Sequence, residues 1–176
     1  MVSIPSYNTH IATYDPIATQ TLSSTATSVT FSSIAADWTD LLLVVNAKTA
    51  RTNNDGDNTW IRFNGDSGNN YSWTRLYGTS SALSQRVTNA TLIEVNSTAG
   101  NAALGSAASY CAIQSYANTN VYKTVLLWGG NVSVSLERLV ALWRDTSVIT
   151  SIEIIPQTAP WQVGSKFSLY GIRGEL

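Results

Sequence analysis

Apolar and polar residues alternate with a period of two along short runs of this chain, and clusters of Gly, Asn, Asp, Ser and Pro separate the runs. In TWIRFN, Trp60, Arg62 and Asn64 fall on one side and Ile61 and Phe63 on the other. Near the C-terminus, Val148, Thr150, Ile152 and Ile154 share one face of a second such run. A period of two is the mark of a strand with one buried face. Strands are predicted over residues 29–34, 41–48, 59–64, 71–77, 91–96, 108–116, 121–128, 137–143, 148–155 and 167–172. The run LLLVV, residues 41–45, is apolar on both faces and reads as a central strand. ERLVALWRD is open to a short helix, but its apolar residues are contiguous and its neighbours are strands, so it is assigned to a strand. Polar turns lie at residues 51–59 and 64–70, the latter with an Asn-Gly hairpin signal. Residues 97–107 are rich in small side chains and read as a long loop.

About eight to ten short strands of this kind make an all-β, antiparallel β-sandwich of jelly-roll type. Residues 27–176 are expected to form that one domain, closed by a hairpin between residues 148–155 and 167–172. Residues 1–26 have a different pattern: Pro5 and Pro16 favour extended backbone, and the apolar residues are irregularly spaced. They are expected to form an extended N-terminal arm, contacting a partner through Ile4, Pro5, Tyr7, Ile11, Tyr14 and Pro16. Disorder of the terminus is the alternative, although disordered segments are usually charged and poor in aromatics.

Composition narrows the partners. Charged residues are 12% of the chain, against about 25% in an ordinary soluble domain, which suits a protein held in an assembly. Net charge is −1 and no Lys/Arg run occurs, so nucleic acid is not an expected partner. The first 16 residues lack the basic region and apolar core of a secretory signal, and no apolar run is long enough for a membrane-spanning helix.

Candidate chemistry is sparse. The single histidine, His10, would have to serve any Ser–His–Asp or Cys–His arrangement, and a terminal arm fixes a base poorly. Cys111 lies in the strand-like ASYCAIQSY and reads as a small buried hydrophobe. Glu94 and Glu153 sit in strand-like segments where a glycosidase would place paired carboxylates. Asp55, Asp57 and Asp66 have oxygens suited to calcium, yet Asp, Asn and Gly are also what tight turns require. No catalytic residue, metal or cofactor is therefore assigned. Of six tryptophans, Trp128 and Trp143 end apolar runs and read as core. Trp161, between Pro160 and Gln162, reads as exposed, and with Tyr77 it is a candidate interface or glycan-stacking aromatic.

Several fragments recur in order: YDPIATQTL from Tyr14, VTFSSI, TDLLLVVNAK, IRFNGDSGNNYS, YANTNVYKTV, ALWRDTSVITSIEI and a terminal GSKFSLYGI. Together they resemble small β-sandwich virion proteins of tailed bacteriophages, of the capsid decoration (cement) or tail-associated type. That resemblance implies a non-enzymatic structural protein. On the head surface its partners would be the major capsid protein and further copies of itself, a homotrimer being the simplest arrangement. A small single domain with an uncharged arm favours the head. The alternative is a tail-tip or fibre module in which the polar loops meet a host glycan. A polysaccharide-cleaving enzyme using Glu94 or Glu153 is a third reading.

Overall fold

The computed structural model describes residues 14–52, 56–99 and 105–173. These contain twelve strands and no helix. The strands are β1 (Asp15–Thr21), β2 (Val29–Phe31), β3 (Asp40–Ala47), β4 (Asp57–Phe63), β5 (Tyr71–Gly78), β6 (Ala82–Ala90), β7 (Ile93–Ala99), β8 (Ala107–Gln114), β9 (Lys123–Asn131), β10 (Ser135–Trp143), β11 (Ile152–Pro156) and β12 (Lys166–Ile172). Eight of them form one sheet in the order β1-β12-β3-β8-β9-β10-β5-β6, and four form a second in the order β2-β11-β4-β7. Every pairing is antiparallel. The fold is the expected antiparallel β-sandwich, but neither expected hairpin forms: β4 and β11 belong to the small sheet and β5 and β12 to the large one, so the β4–β5 and β11–β12 connections cross between sheets. Its sheets are unequal, however, and its strands exceed the eight of a jelly roll.

The extra strands are the ones that bury least. In β6 only Val87 and Ala90 are even half-buried, so no alternation marks it in the sequence. Strand β1 lies within the segment expected to be an arm, and it pairs with β12 along the edge of the large sheet. Pro16 sits on this edge strand, where a missing N–H is tolerated. Asp15 fastens the strand: its Oδ2 accepts from Arg173 Nε at 2.6 Å and from Trp38 Nε1 at 3.0 Å. These two bonds, Arg173 first, hold its carboxyl below the usual range. Trp38 in turn lies flat on the backbone of Gly171, where a Cβ would come within 2.2 Å of the ring.

The core fills the space between the sheets with alternating inward side chains, among them Leu41, Leu43, Ile61, Ile93, Ile113, Val125 and Ile154. One end is closed by Phe63, Tyr71 and Trp143, whose rings are 5.6–6.3 Å apart. The β4–β5 turn supplies their polar partner. Asp66 accepts from Trp143 Nε1 at 2.6 Å, from Asn70 Nδ2 at 2.9 Å and from the Gly68 amide at 2.8 Å. Burial opposes ionisation of Asp66, but the bonds from Trp143, Asn70 and Gly68 outweigh it and hold the carboxyl below its ordinary value.

Beside it Asn64 adopts a left-handed conformation, φ 51°, at the start of the Asn-Gly turn. Its side chain donates to the Val148 carbonyl at 2.8 Å and accepts from the amides of Thr150 and Ser151 at 2.8 and 3.1 Å. This is why the strand expected from residue 148 begins at Ile152: these two amides bond to a side chain instead of entering a ladder.

Trp161 overturns its expectation. It is 0% exposed, and its backbone bridges Ala26 and Thr49. Its Nε1 donates to the Ile154 carbonyl at 3.3 Å, and its ring meets Phe167 edge-on at 5.3 Å. The backbone bridges turn the indole inward, where it plugs the opposite end of the core.

Two stability predictions follow from these closures. Trp161→Ala is expected to cost about 3–5 kcal/mol, read as a lower midpoint in urea denaturation. Asp66 has a depressed folded pKa, so its contribution is complete above the unfolded value of 3.8 and is lost as pH falls through the folded value. Asp66→Asn should therefore lower stability at neutral pH and flatten its acid limb, as measured by thermal melts from pH 7 down to about pH 2. An unchanged acid limb would remove the carboxylate from that role.

Candidate interaction surface

Strands at the centre of the large sheet carry apolar runs that reach both faces. In β9, Val125 and Leu127 point inward, so Leu126 and Trp128 point out. In β10, Leu139 and Ala141 are buried while Leu136 and Val140 are exposed. Antiparallel register then aligns the outward residues in rows across strands. One row runs Leu42, Ala112, Leu126, Val140, Thr74 and Arg86. The next runs Val44, Tyr110, Trp128, Arg138, Leu76 and Ser84.

The resulting face is apolar where a sandwich usually shows polar side chains to water. Trp128 is 37% exposed, Leu76 57% and Leu136 68%. Trp128 stacks on Tyr110 at 5.5 Å, and the Arg138 guanidinium covers its ring from 5.2 Å. A shallow trough of about 470 Å³ crosses β9, β10, β5 and β6, with Leu76, Leu126, Trp128, Arg138 and Val140 among its lining. No carboxylate points outward from β5, β6, β8, β9 or β10, since Glu137 in β10 faces the core. Arg138 and Arg86 are the charges on this area, and neither has an ion pair among the described residues.

Trp128 is a correction to the core assignment made from its position at the end of an apolar run. The signal was present in that run: four consecutive apolar residues in a strand must place two of them outward. Trp143 is buried as expected. Of the other aromatics singled out, Tyr77 is half-buried on the inner side of β5, with the Arg75 guanidinium 5.2 Å from its ring. Trp161 is in the core. Tyr14 is exposed just before β1, and Pro16 belongs to β1 itself. Ile4, Pro5, Tyr7, Ile11 and His10 lie outside the described residues.

The candidate catalytic and calcium residues are taken up in structural bonds. Glu153 pairs with Arg62 at 3.4 Å. Glu94 accepts from Trp60 Nε1 at 3.2 Å and pairs with Arg75 at 3.5 Å. The two glutamates stand on β11 and β7, with β4 between them. Buried Asp57 accepts from the Asn58 and Ala159 amides at 3.0 and 3.2 Å, whereas Asp66 bonds Trp143. Asp55 lies outside the described residues, and these contain no cluster of three His, Cys, Asp or Glu side chains placed to hold a metal. Cys111 is buried, and burial pushes its thiol up to about 12, far from a reactive thiolate.

No family model matches the chain, and no curated protein does. Among solved structures it is similar to a protein of unknown function from Shewanella oneidensis MR-1. The identity is 12% and the TM-score 0.27, over 100% of this chain and 99% of the other.

The double substitution Trp128→Ser and Leu136→Ser should weaken retention on a hydrophobic-interaction column. The urea midpoint should move by no more than the equivalent of about 0.5 kcal/mol per site, because both side chains are exposed. A large loss of stability would show that the face supports the fold instead of standing free.

Proposed function

We propose that this chain is a non-enzymatic structural protein of a tailed-bacteriophage virion, a capsid decoration or cement protein on the outer head surface. The observation that carries the reading is the apolar outer face of the eight-stranded sheet, built around Trp128, Leu126, Val140, Leu76 and Leu136. A contiguous apolar area of this kind is what protein association uses. The sequence resemblance supplies the assembly, and the low charge content suits a subunit packed against neighbours. In this reading the major capsid protein is the partner, and three copies of the chain gather at a local threefold axis. Contacts made only in the intact shell stabilise it by mass action, and symmetry repeats each modest contact many times. The N-terminal segment extends the contact onto neighbouring capsid subunits. Glycan stacking in a tail module draws no support from Trp161 or Tyr77, one in the core and the other beneath Arg75.

Quantitative mass spectrometry of purified virions tests the assignment. A copy number near that of the major capsid protein, or a simple fraction of it, is the expected result. A handful of copies per particle would move the protein to the tail. Deleting residues 1–13 keeps β1 and the Asp15 contacts, so a folded protein that is held less tightly by shells is expected. Equal retention of the truncated chain, measured by co-sedimentation, would remove the arm from the mechanism.

A further inference from the structure

The outer face differs from a plain apolar patch in its charge. Across five adjacent strands it offers two guanidinium groups and no carboxylate. Arg138 stands within the trough itself, held over Trp128, with no anionic partner among the described residues. An arginine fixed against an aromatic ring has given up part of its rotamer freedom, so it is poised for a planar, bidentate carboxylate pair. We infer that the trough receives one segment of partner polypeptide that carries apolar side chains together with carboxylates. The apolar side chains lie on Leu76, Leu126 and Val140, and a carboxylate pairs with Arg138. This rests on the assembly role proposed above and specifies the chemistry of the shell surface that is bound.

The competing occupant is a second copy of the chain, face to face. Twofold packing of this surface on itself brings cationic groups together and supplies no acid to offset them. Like charges opposed in a desolvated interface disfavour such a pair. Self-association into a trimer is thereby left to other parts of the surface.

The test uses shells assembled without this protein and the full chain added back, with binding followed by co-sedimentation at low and high NaCl. Wild-type binding should weaken as salt rises. Arg138→Gln should bind about tenfold more weakly and show a shallower salt dependence, and Arg138→Glu should bind more weakly still. Arg138→Lys keeps the charge but loses the planar fork, and should fall between wild type and Arg138→Gln. Circular-dichroism melts check that each variant is folded, as expected for an exposed side chain. Sedimentation velocity of the free protein covers self-docking: a dimer that Trp128→Ala dissociates would overturn the inference. Wild-type binding left intact by Arg138→Glu would also overturn it while preserving the assembly role. Failure of the wild type to bind shells at any salt would remove the assembly role itself.

Discussion

Burial of apolar side chains between a wide sheet and a narrow one is the interaction on which the rest of this structure depends. Eight strands present an inner face, and four strands cover it. The area removed from water includes Leu41, Leu43, Ile61, Ile93, Ile113, Val125 and Ile154, each essentially inaccessible. Hydrophobic burial scales with area, so these positions supply the main driving force. A narrow cover has consequences at its margins. At the β6 edge of the large sheet the cover runs out, and β6 is left with little buried surface. Polar groups inside the sandwich must then find partners. Arg75 does so beside the margin, bonding Gln85 and pairing with Glu94 and with Glu137 on β10.

The two ends of the core are closed by different devices with the same logic. At one, Phe63, Tyr71 and Trp143 pack together, and Asp66 meets the indole N–H that packing would otherwise strand. At the other, Trp161 folds in from a loop, and the Ile154 carbonyl takes its N–H. Lys123 solves a similar problem from the opposite side: its buried ammonium donates to the carbonyls of Asn118, Val121 and Thr146. Desolvation lowers its pKa, yet the cage of carbonyls fixes the β8–β9 connection. In each case a buried polar atom orders a turn that hydrophobic packing alone would leave undefined.

The same alternation that makes the core also makes the outer face. An isolated amphipathic strand hides its apolar residues, but a strand with a run of consecutive apolar residues must show half of that run. Strands β9 and β10 do this in register, so exposed residues from separate parts of the chain form continuous rows. Trp128, Tyr110 and Arg138 come together only because β8, β9 and β10 form a meander with that pairing. An apolar surface with cations and no acids is the property on which the proposed assembly role rests.

The sequence by itself determined the class of fold, the position of most strands and the Asn64-Gly65 turn, because period-two patterning and turn chemistry are local. Cys111 and Trp143 are buried as expected, although the same signal, the end of an apolar run, put the exposed Trp128 in the core as well. The sequence left β1 and β6 unmarked, because an edge strand with little burial carries no alternation. Only the tertiary structure decided how twelve strands divide into eight and four, since strand partners are separated by up to most of the chain. It placed Trp161 inside, against the polarity of its loop, because Ala26 and Thr49 bond its backbone from distant segments. It placed Trp128 outside, because the small sheet covers one face of β9 and nothing in a doubly apolar run says which face that is. The candidate surface was therefore present in the sequence as an excess of apolar residues, and only the register of five strands turned that excess into a site.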